Sequence, residues 1–212
     1  GTLPEFPAGK PLFIFASHFH ADHYAPVIFQ LGEKRENVFY ILSKEIGKKI
    51  PEEYRKRYKD RIRLVKAGER FCLNISEESL IVETFHSTDE GVAFWLSCEG
   101  KEIYHAGDLN NWWWEGEDMA WNRNMAASYK QEMKKLSGRT ADLAFIPVDP
   151  RQGQWFYLGA AGFMEQADTK WIFPMHFWED YTIIPKLIEH PSSEGWRDRI
   201  VEIHKEGEEF IR

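Results

Sequence analysis

Cysteine is scarce in this chain, with two in 212 residues, Cys72 and Cys98. Two thiols cannot build a disulfide scaffold, so apolar burial must hold the core and a reducing cytoplasm is the expected setting. Both fall in strand-like stretches and read as small core residues. No apolar run approaches the ~20 residues of a membrane helix, although 43% of the chain is hydrophobic; no membrane partner is expected. No basic leader followed by an apolar segment is found either, so no secretory signal is expected within this sequence. Basic charge is in deficit: 27 Lys and Arg against 34 Asp and Glu leave a formal net charge of −7. A protein that handles nucleic acid should offer phosphates a basic surface. The one basic stretch, Lys44 to Arg70, interleaves Lys48, Lys49, Arg55, Lys56 and Arg57 with Glu45, Glu52, Glu53, Asp60 and Glu69. That mixture reads as a solvated helical face, and nucleic acid is not an expected partner. Internal repeats and low-complexity tracts are also lacking, and the length suits one domain over residues 1–212.

What the chain has in abundance is imidazole in one place. His18-Phe19-His20-Ala21-Asp22-His23 follows the apolar run Leu12-Phe13-Ile14-Phe15-Ala16. Such a run reads as a buried strand, so the cluster lies where a strand empties into a loop. Rigid elements hold ligands there and loops leave room for substrate. Packing three imidazoles and a carboxylate together without a cation would crowd polar groups that each need a partner. Alternating histidines can bind one metal, and the adjacent Asp-His pair can start a second site.

His-x-His-x-Asp-His after a hydrophobic strand resembles the signature of the metallo-β-lactamase-fold hydrolases. That family also carries a later isolated His, a bridging Asp and a final His. Here His86 stands in Glu83-Thr84-Phe85-His86-Ser87-Thr88-Asp89-Glu90-Gly91, Asp108 in Ile103-Tyr104-His105-Ala106-Gly107-Asp108, and His176 in Trp171-Ile172-Phe173-Pro174-Met175-His176. The match runs from about Pro11 to about Glu179. The resemblance implies two divalent metal ions, with His18, His20 and His86 holding the first, Asp22, His23 and His176 the second, and Asp108 bridging. Zinc suits the set, and the absence of thiolate admits manganese or iron. It further implies that a hydroxide held between the metals attacks a carbonyl or phosphoryl centre, since metal binding lowers the pKa of water to about 7. Asp22 and Asp108 would be the catalytic carboxylates, Asp22 orienting the hydroxide and taking up a proton.

The implied fold is α/β, a four-layer αββα sandwich of the metallo-β-lactamase type. Only Gly1 to Ser17 precede the His-rich loop, where the family usually has further strands, so the expectation is either a branch trimmed of the first N-terminal hairpin or a fragment of a longer protein. Strands are expected near 12–16, 37–42, 62–66, 79–86, 92–98, 101–105, 142–147, 171–175, 199–204 and 208–211. Helices are expected near 25–31, 51–58, 118–136, 157–167 and 181–190. Gly100 marks a hairpin turn, and Gly138 suits a helix C-terminus.

After Asp108 comes Leu109-Asn110-Asn111-Trp112-Trp113-Trp114, with Trp121 beyond it. These indoles either line a substrate pocket or pin the following helix to the core. Asn110, Trp112 and Trp113 are candidate substrate contacts, as are Asp149 and Arg151, whose guanidinium could clamp a carboxylate or phosphate or simply close a turn with Asp149. His105 is a candidate second-layer support for Asp108. Asp89 and Glu90 either support a ligand or form the turn before Gly91; His190 and His204 read as structural or solvent-facing. In motif style the His86 and Asp108 segments resemble the ribonuclease Z and sugar-phosphate lactonase-like branches. The expected function is a cytoplasmic metal-dependent hydrolase of a small ester, lactone or phosphoester. The alternatives are a phosphodiesterase or nuclease of the same fold, a non-catalytic binding or sensing module that keeps the metal site, and a di-iron oxidoreductase. The last is disfavoured by His20, where the iron-dependent branch carries an acidic residue. The expected partner is a small-molecule substrate, and a homo-oligomer is compatible with the sequence.

Overall fold

The computed structural model describes residue 7, residues 9–75 and residues 78–211. The apolar runs form strands buried on both faces, which is why they are near-continuous rather than alternating. Three of them, β1 (Leu12–Ala16), β2 (Val38–Ser43) and β3 (Ile62–Val65), pair in parallel in that order. The second sheet holds β4 (Arg70–Ile75), β5 (Glu78–His86), β6 (Val92–Cys98), β7 (Lys101–His105), β8 (Thr140–Pro147) and β9 (Asp168–Met175), side by side in chain order. The first four are antiparallel, and β7, β8 and β9 run parallel to one another.

Side-chain alternation sorts the core into three layers. Phe13, Phe15, Phe39 and Ile41 of the small sheet meet Leu80, Val82, Val92 and Phe94 of the large one. Behind the small sheet, Leu12, Ile14, Tyr40 and Leu42 pack on Phe29 of α1 (Phe29–Lys34) and Tyr54 of α2 (Glu52–Arg57). Behind the large sheet, Trp95, Tyr104, Ala144 and Ile146 pack on α3 (Met119–Met133), α4 (Leu158–Met164) and α5 (Ile183–Glu189), through Tyr129, Met133, Phe163, Ile184 and Leu187. The order of layers is therefore helix, sheet, sheet, helix. No helix among the described residues is long and apolar enough to cross a membrane.

Punctuation in the sequence acts as expected at two glycines. Gly100 (φ 72°) turns β6 into β7, and Gly138 (φ 75°) follows the last turn after α3. Three expectations need correction. Residues 199–204 and 208–211 form no strands: Ile200, Val201, Ile203, Phe210 and Ile211 are strand-favouring, but among the described residues these segments pair only through an isolated parallel bridge of Ile200 with Ile172 at the edge of β9. Conversely, Arg70–Ile75 is a strand, its apolar Phe71 and Leu73 facing the inter-sheet layer. Cys72 points the other way and is exposed, while Cys98 is half-buried, so neither is a fully buried core residue.

The loops that matter leave one edge of the sandwich. The His-rich loop follows β1, Asp108 lies just past β7, Asp149 past β8, and His176 directly past β9. All four sit at the C-terminal ends of strands that run parallel within their sheets, where open α/β sheets form crevices.

Candidate metal centre

Two close approaches bring the sheets together at this edge. Val92 N–H donates to Ser17 O across the seam at 3.0 Å. Gly91 (φ 74°) sits so near that an added Cβ would fall 1.9 Å from the same oxygen, and Gly107 (φ 54°) presses on the Ser17 side chain. Only glycine fits both the backbone conformation and the space. Ser17 is thereby wedged between the His-rich loop and the large sheet.

Asp108 lies at the middle, 3% exposed, with each oxygen facing a different group of imidazoles. Its Oδ2 is 3.3 Å from His18 Nε2, which is 3.0 Å from His20 Nδ1. Its Oδ1 is 3.1 Å from His23 Nε2 and 3.6 Å from His176 Nε2. Asp22 Oδ2 completes that second group, 3.4 Å from His23 Nε2 and 3.7 Å from His176 Nε2. His18, His20 and Asp108 thus form one candidate metal-holding group, and Asp22, His23 and His176 another.

These spacings fit a metal. Two donors each about 2.1 Å from a tetrahedral ion stand roughly 3.4 Å apart, close to the separations found. Asp108 Oδ1 and His23 Nε2 are also buried and lack a hydrogen-bond partner. They are near each other but not aligned for a hydrogen bond, and orphaned buried atoms of this kind are costly unless something else binds them. A shared cation would satisfy both.

The imidazoles are oriented from behind. Ser17 Oγ lies 3.0 Å from His18 Nδ1 and 3.3 Å from His23 Nδ1, which turns both Nε2 atoms inward. Burial, helped by the neighbouring His23, pushes the His18 imidazole down to about 4, so it is neutral and its lone pair is free for a metal. His176 Nδ1 meets the fully buried Asp149 carboxylate at 2.9 Å. Burial alone would raise the Asp149 pKa, but hydrogen bonds from His176 and Arg151 hold it well below the usual carboxylate range. Burial would lower the His176 pKa, but its bond to Asp149 together with the negative charges of Asp108 and Asp149 raises it. His176 adopts a left-handed backbone (φ 65°), as do Trp178 and Glu179. Non-glycine residues take that conformation at a cost and cluster at sites where geometry is over-determined.

Several expected residues play other parts. His86 does not join either group: it ends β5 with an exposed side chain and lines a separate cavity with Asn124, Ser128 and Glu132. Asn110 is fully buried and bonded to Gln152, and Trp113 packs on Trp155, so both belong to the scaffold. Asp149 is enclosed, and Arg151 spends its Nε and Nη2 on it, at 2.9 and 2.5 Å. Trp112 lines the cleft, gives its Nε1 proton to the Asp108 carbonyl at 2.9 Å, and stacks parallel on Trp114. His105 Nδ1 accepts the Gly107 N–H and so supports the turn before Asp108. His190 stacks on Tyr157, and His204 is exposed beside Glu208.

The cleft over the two groups measures about 350 Å³ and is lined by His20, Asp22, Asp89, Asp108 and His176, with walls of Trp112, Trp114, Trp121, Met125 and Trp178 and with Arg151 at its side. Trp114 and Trp121 are among the indoles read from the sequence as lining a pocket or packing, and Asp89 as supporting a ligand or forming a turn; Met125 and Trp178 were not singled out. Trp178, two residues beyond a ligand-type His, carried the only local signal.

No family model matches the sequence, and no curated protein matches it. Solved structures do share its architecture. CmlA, a diiron β-hydroxylase from Streptomyces venezuelae, superposes with a TM-score of 0.53 at 12% identity, over 91% of this chain and 43% of that one. YhfI from Bacillus subtilis, a metallo-β-lactamase fold protein, gives 0.43 at 11% identity over 81% of this chain and 67% of that one. A diphosphatase of the PhnP family gives 0.40 at 11% identity over 78% and 60%. The superposition on CmlA shows a shared fold, and the four layers, with a His/Asp cluster at one sheet edge, are those of the αββα sandwich expected from the sequence. The chain spans less than half the length of CmlA.

Proposed function

We propose that this protein is a dinuclear metal-dependent hydrolase of a small ester, lactone or phosphoester. The reading rests on one observation: two groups of ligand atoms at metal-like spacing share the Asp108 carboxylate, one oxygen each. His18, His20 and Asp108 would hold one ion, and Asp22, His23, His176 and Asp108 the other. When bound, such ions supply an activated water near neutral pH and polarise the substrate oxygen. Zinc is the first expectation, with manganese or iron compatible with the same donors.

The chain's own residues contribute the rest. Ser17 and Asp149 fix the tautomers and ring angles of the imidazoles. Asp22 is the most open donor, its side chain 39% exposed, so it is the group from which a proton can pass to solvent. The indole walls exclude water and offer flat apolar surface to the non-reacting part of a substrate. Arg151, its side chain 53% exposed, adds one positive charge beside a cleft otherwise rich in carboxylates. An opening of this size accommodates a small molecule, and its acidity disfavours a polyanion such as RNA.

The test is metal content together with turnover of a panel of lactones, aryl esters and phosphodiesters. About two ions per chain, with turnover abolished by chelation and restored by metal, is the expected result. Two ions with no turnover of any class would favour a binding or sensing module. No uptake of zinc, manganese or iron would refute the metal reading.

A further inference from the structure

The turn between β5 and β6 carries two candidates for the remaining position of the first metal group, His86 and Asp89, and they face different places. His86 is held at the end of β5, where its N–H donates to Glu132 Oε2 of α3 at 3.2 Å. Its imidazole is exposed and lines the neighbouring cavity beside α3. Asp89, also exposed, borders both cavities and is the one of the two that lines the metal cleft, alongside His20 and Asp108, although its carboxylate lies outside the 4.8 Å group that His18, His20 and Asp108 form.

The turn is built to hold that position. At one end, Thr88 Oγ1 donates to Asn110 O at 2.6 Å and accepts the Asn110 N–H at 3.0 Å, which ties it to the segment just past Asp108. At the other, Gly91 and Val92 are pressed on Ser17 and His18. Between these anchors, Ser87 Oγ accepts the Asp89 N–H at 3.1 Å and fixes its backbone. Each loop that supplies the first group therefore grips one end of the turn that carries Asp89.

We propose that Asp89, rather than His86, supplies the further protein donor of the first metal group, beside His18, His20 and Asp108. The proposal rests on the metal reading given above. It replaces an expected third imidazole with a carboxylate, making two nitrogen and two oxygen donors. Such a set is harder, with more negative charge, and tolerates manganese or iron better than three imidazoles would.

The experiment compares wild type, Asp89→Asn, His86→Gln and His20→Ala after stripping and reloading. Metal per chain is measured by plasma mass spectrometry, and Co(II) affinity by titration of its visible absorption. Asp89→Asn is expected to weaken one of the two ions at least about tenfold, as His20→Ala does, and to leave the other in place. His86→Gln is expected to leave both affinities and the Co(II) spectrum unchanged. Loss of an ion in His86→Gln with both retained in Asp89→Asn overturns the proposal in favour of His86. Two ions retained in both variants while His20→Ala loses one also overturns it, leaving Asp89 a bystander. A wild type that takes up no ion refutes the metal reading itself, and the proposal with it. Thermal melts check folding, and Asp89→Ser serves in the same comparison if Asp89→Asn fails to fold.

Discussion

Ser17 carries more of the centre than its size implies. One hydroxyl within 3.3 Å of the Nδ1 atoms of both His18 and His23 orients one ring from each group. Ser17→Ala is therefore expected to weaken metal binding by about 10- to 100-fold, the usual effect of losing an outer partner of a ligand, read as the chelator concentration that strips half the metal. The candidate ligands other than His86 were legible as residues, because imidazole and carboxylate at strand ends are chemically conspicuous. The partners behind them were not. Nothing in Ala16-Ser17-His18 announces that the hydroxyl reaches two rings, and Asp149 read equally as a substrate contact or a turn. Which groups meet behind a ring depends on how distant loops are registered, and short-range pattern does not contain that. Titration is also a residue-scale property. Burial pushes the His105 imidazole down to about 4, against an ordinary value of 6.5. The unfolded chain thus binds a proton first as pH falls, so stability drops from about pH 6.5 and the loss levels off below about pH 4. Metal-free protein is expected to melt at progressively lower temperature over that window. His105→Asn, which keeps an acceptor for Gly107 N–H, is expected to flatten part of the slope.

Elements with strong periodicity were easy to read, and those without it were not. β1, β6 and β7 fall where they were expected, and α3 follows its N-cap Asp118, whose carboxylate accepts the Trp121 N–H at 2.7 Å. β4 escaped notice because Arg70 closes a charged stretch and hides the alternation of Phe71 and Leu73. The reverse error at 199–204 arose because Ile200, Val201 and Ile203 are β-branched, in a segment that bridges only to the edge of β9. The turn from β5 to β6 is an element whose shape depends on one residue. Gly91→Ala puts a Cβ into Ser17 O in a left-handed conformation and is expected to cost at least about 2 kcal/mol, checked by urea denaturation. Its metal affinity should fall as well, since the same contact seats the His-rich loop.

At the scale of the whole molecule, the fold follows from two sheets that share an apolar layer, and that layer was legible as runs of Phe, Ile, Leu and Val. How the sheets meet at one edge was legible only through the family resemblance, because it depends on contacts between segments far apart in the chain. The centre draws on both sheets: His18, His20, Asp22 and His23 come from the small one, Asp108 and His176 from the large one. An ion that binds only the folded state adds stability by mass action, about 2.7 kcal/mol at a free concentration one hundred times Kd. Zinc is accordingly expected to raise the melting temperature in proportion to the logarithm of its concentration, and a chelator to reverse the shift.

Because the ligands straddle the seam, the ions would act as rivets as well as reagents. Without them, four carboxylates (Asp22, Asp89, Asp108 and Asp149) gather at one edge of an already acidic protein, with Arg151, paired to Asp149, as the guanidinium lining the cleft. That edge is where the sandwich should breathe first. Local opening there would expose Ser17, the His-rich loop and the strained turn at His176 while the three apolar layers stay closed. Amide exchange at residues 17–23 and 107–110 should then slow sharply on loading, making the cleft edge a local gauge of occupancy that needs no knowledge of the substrate.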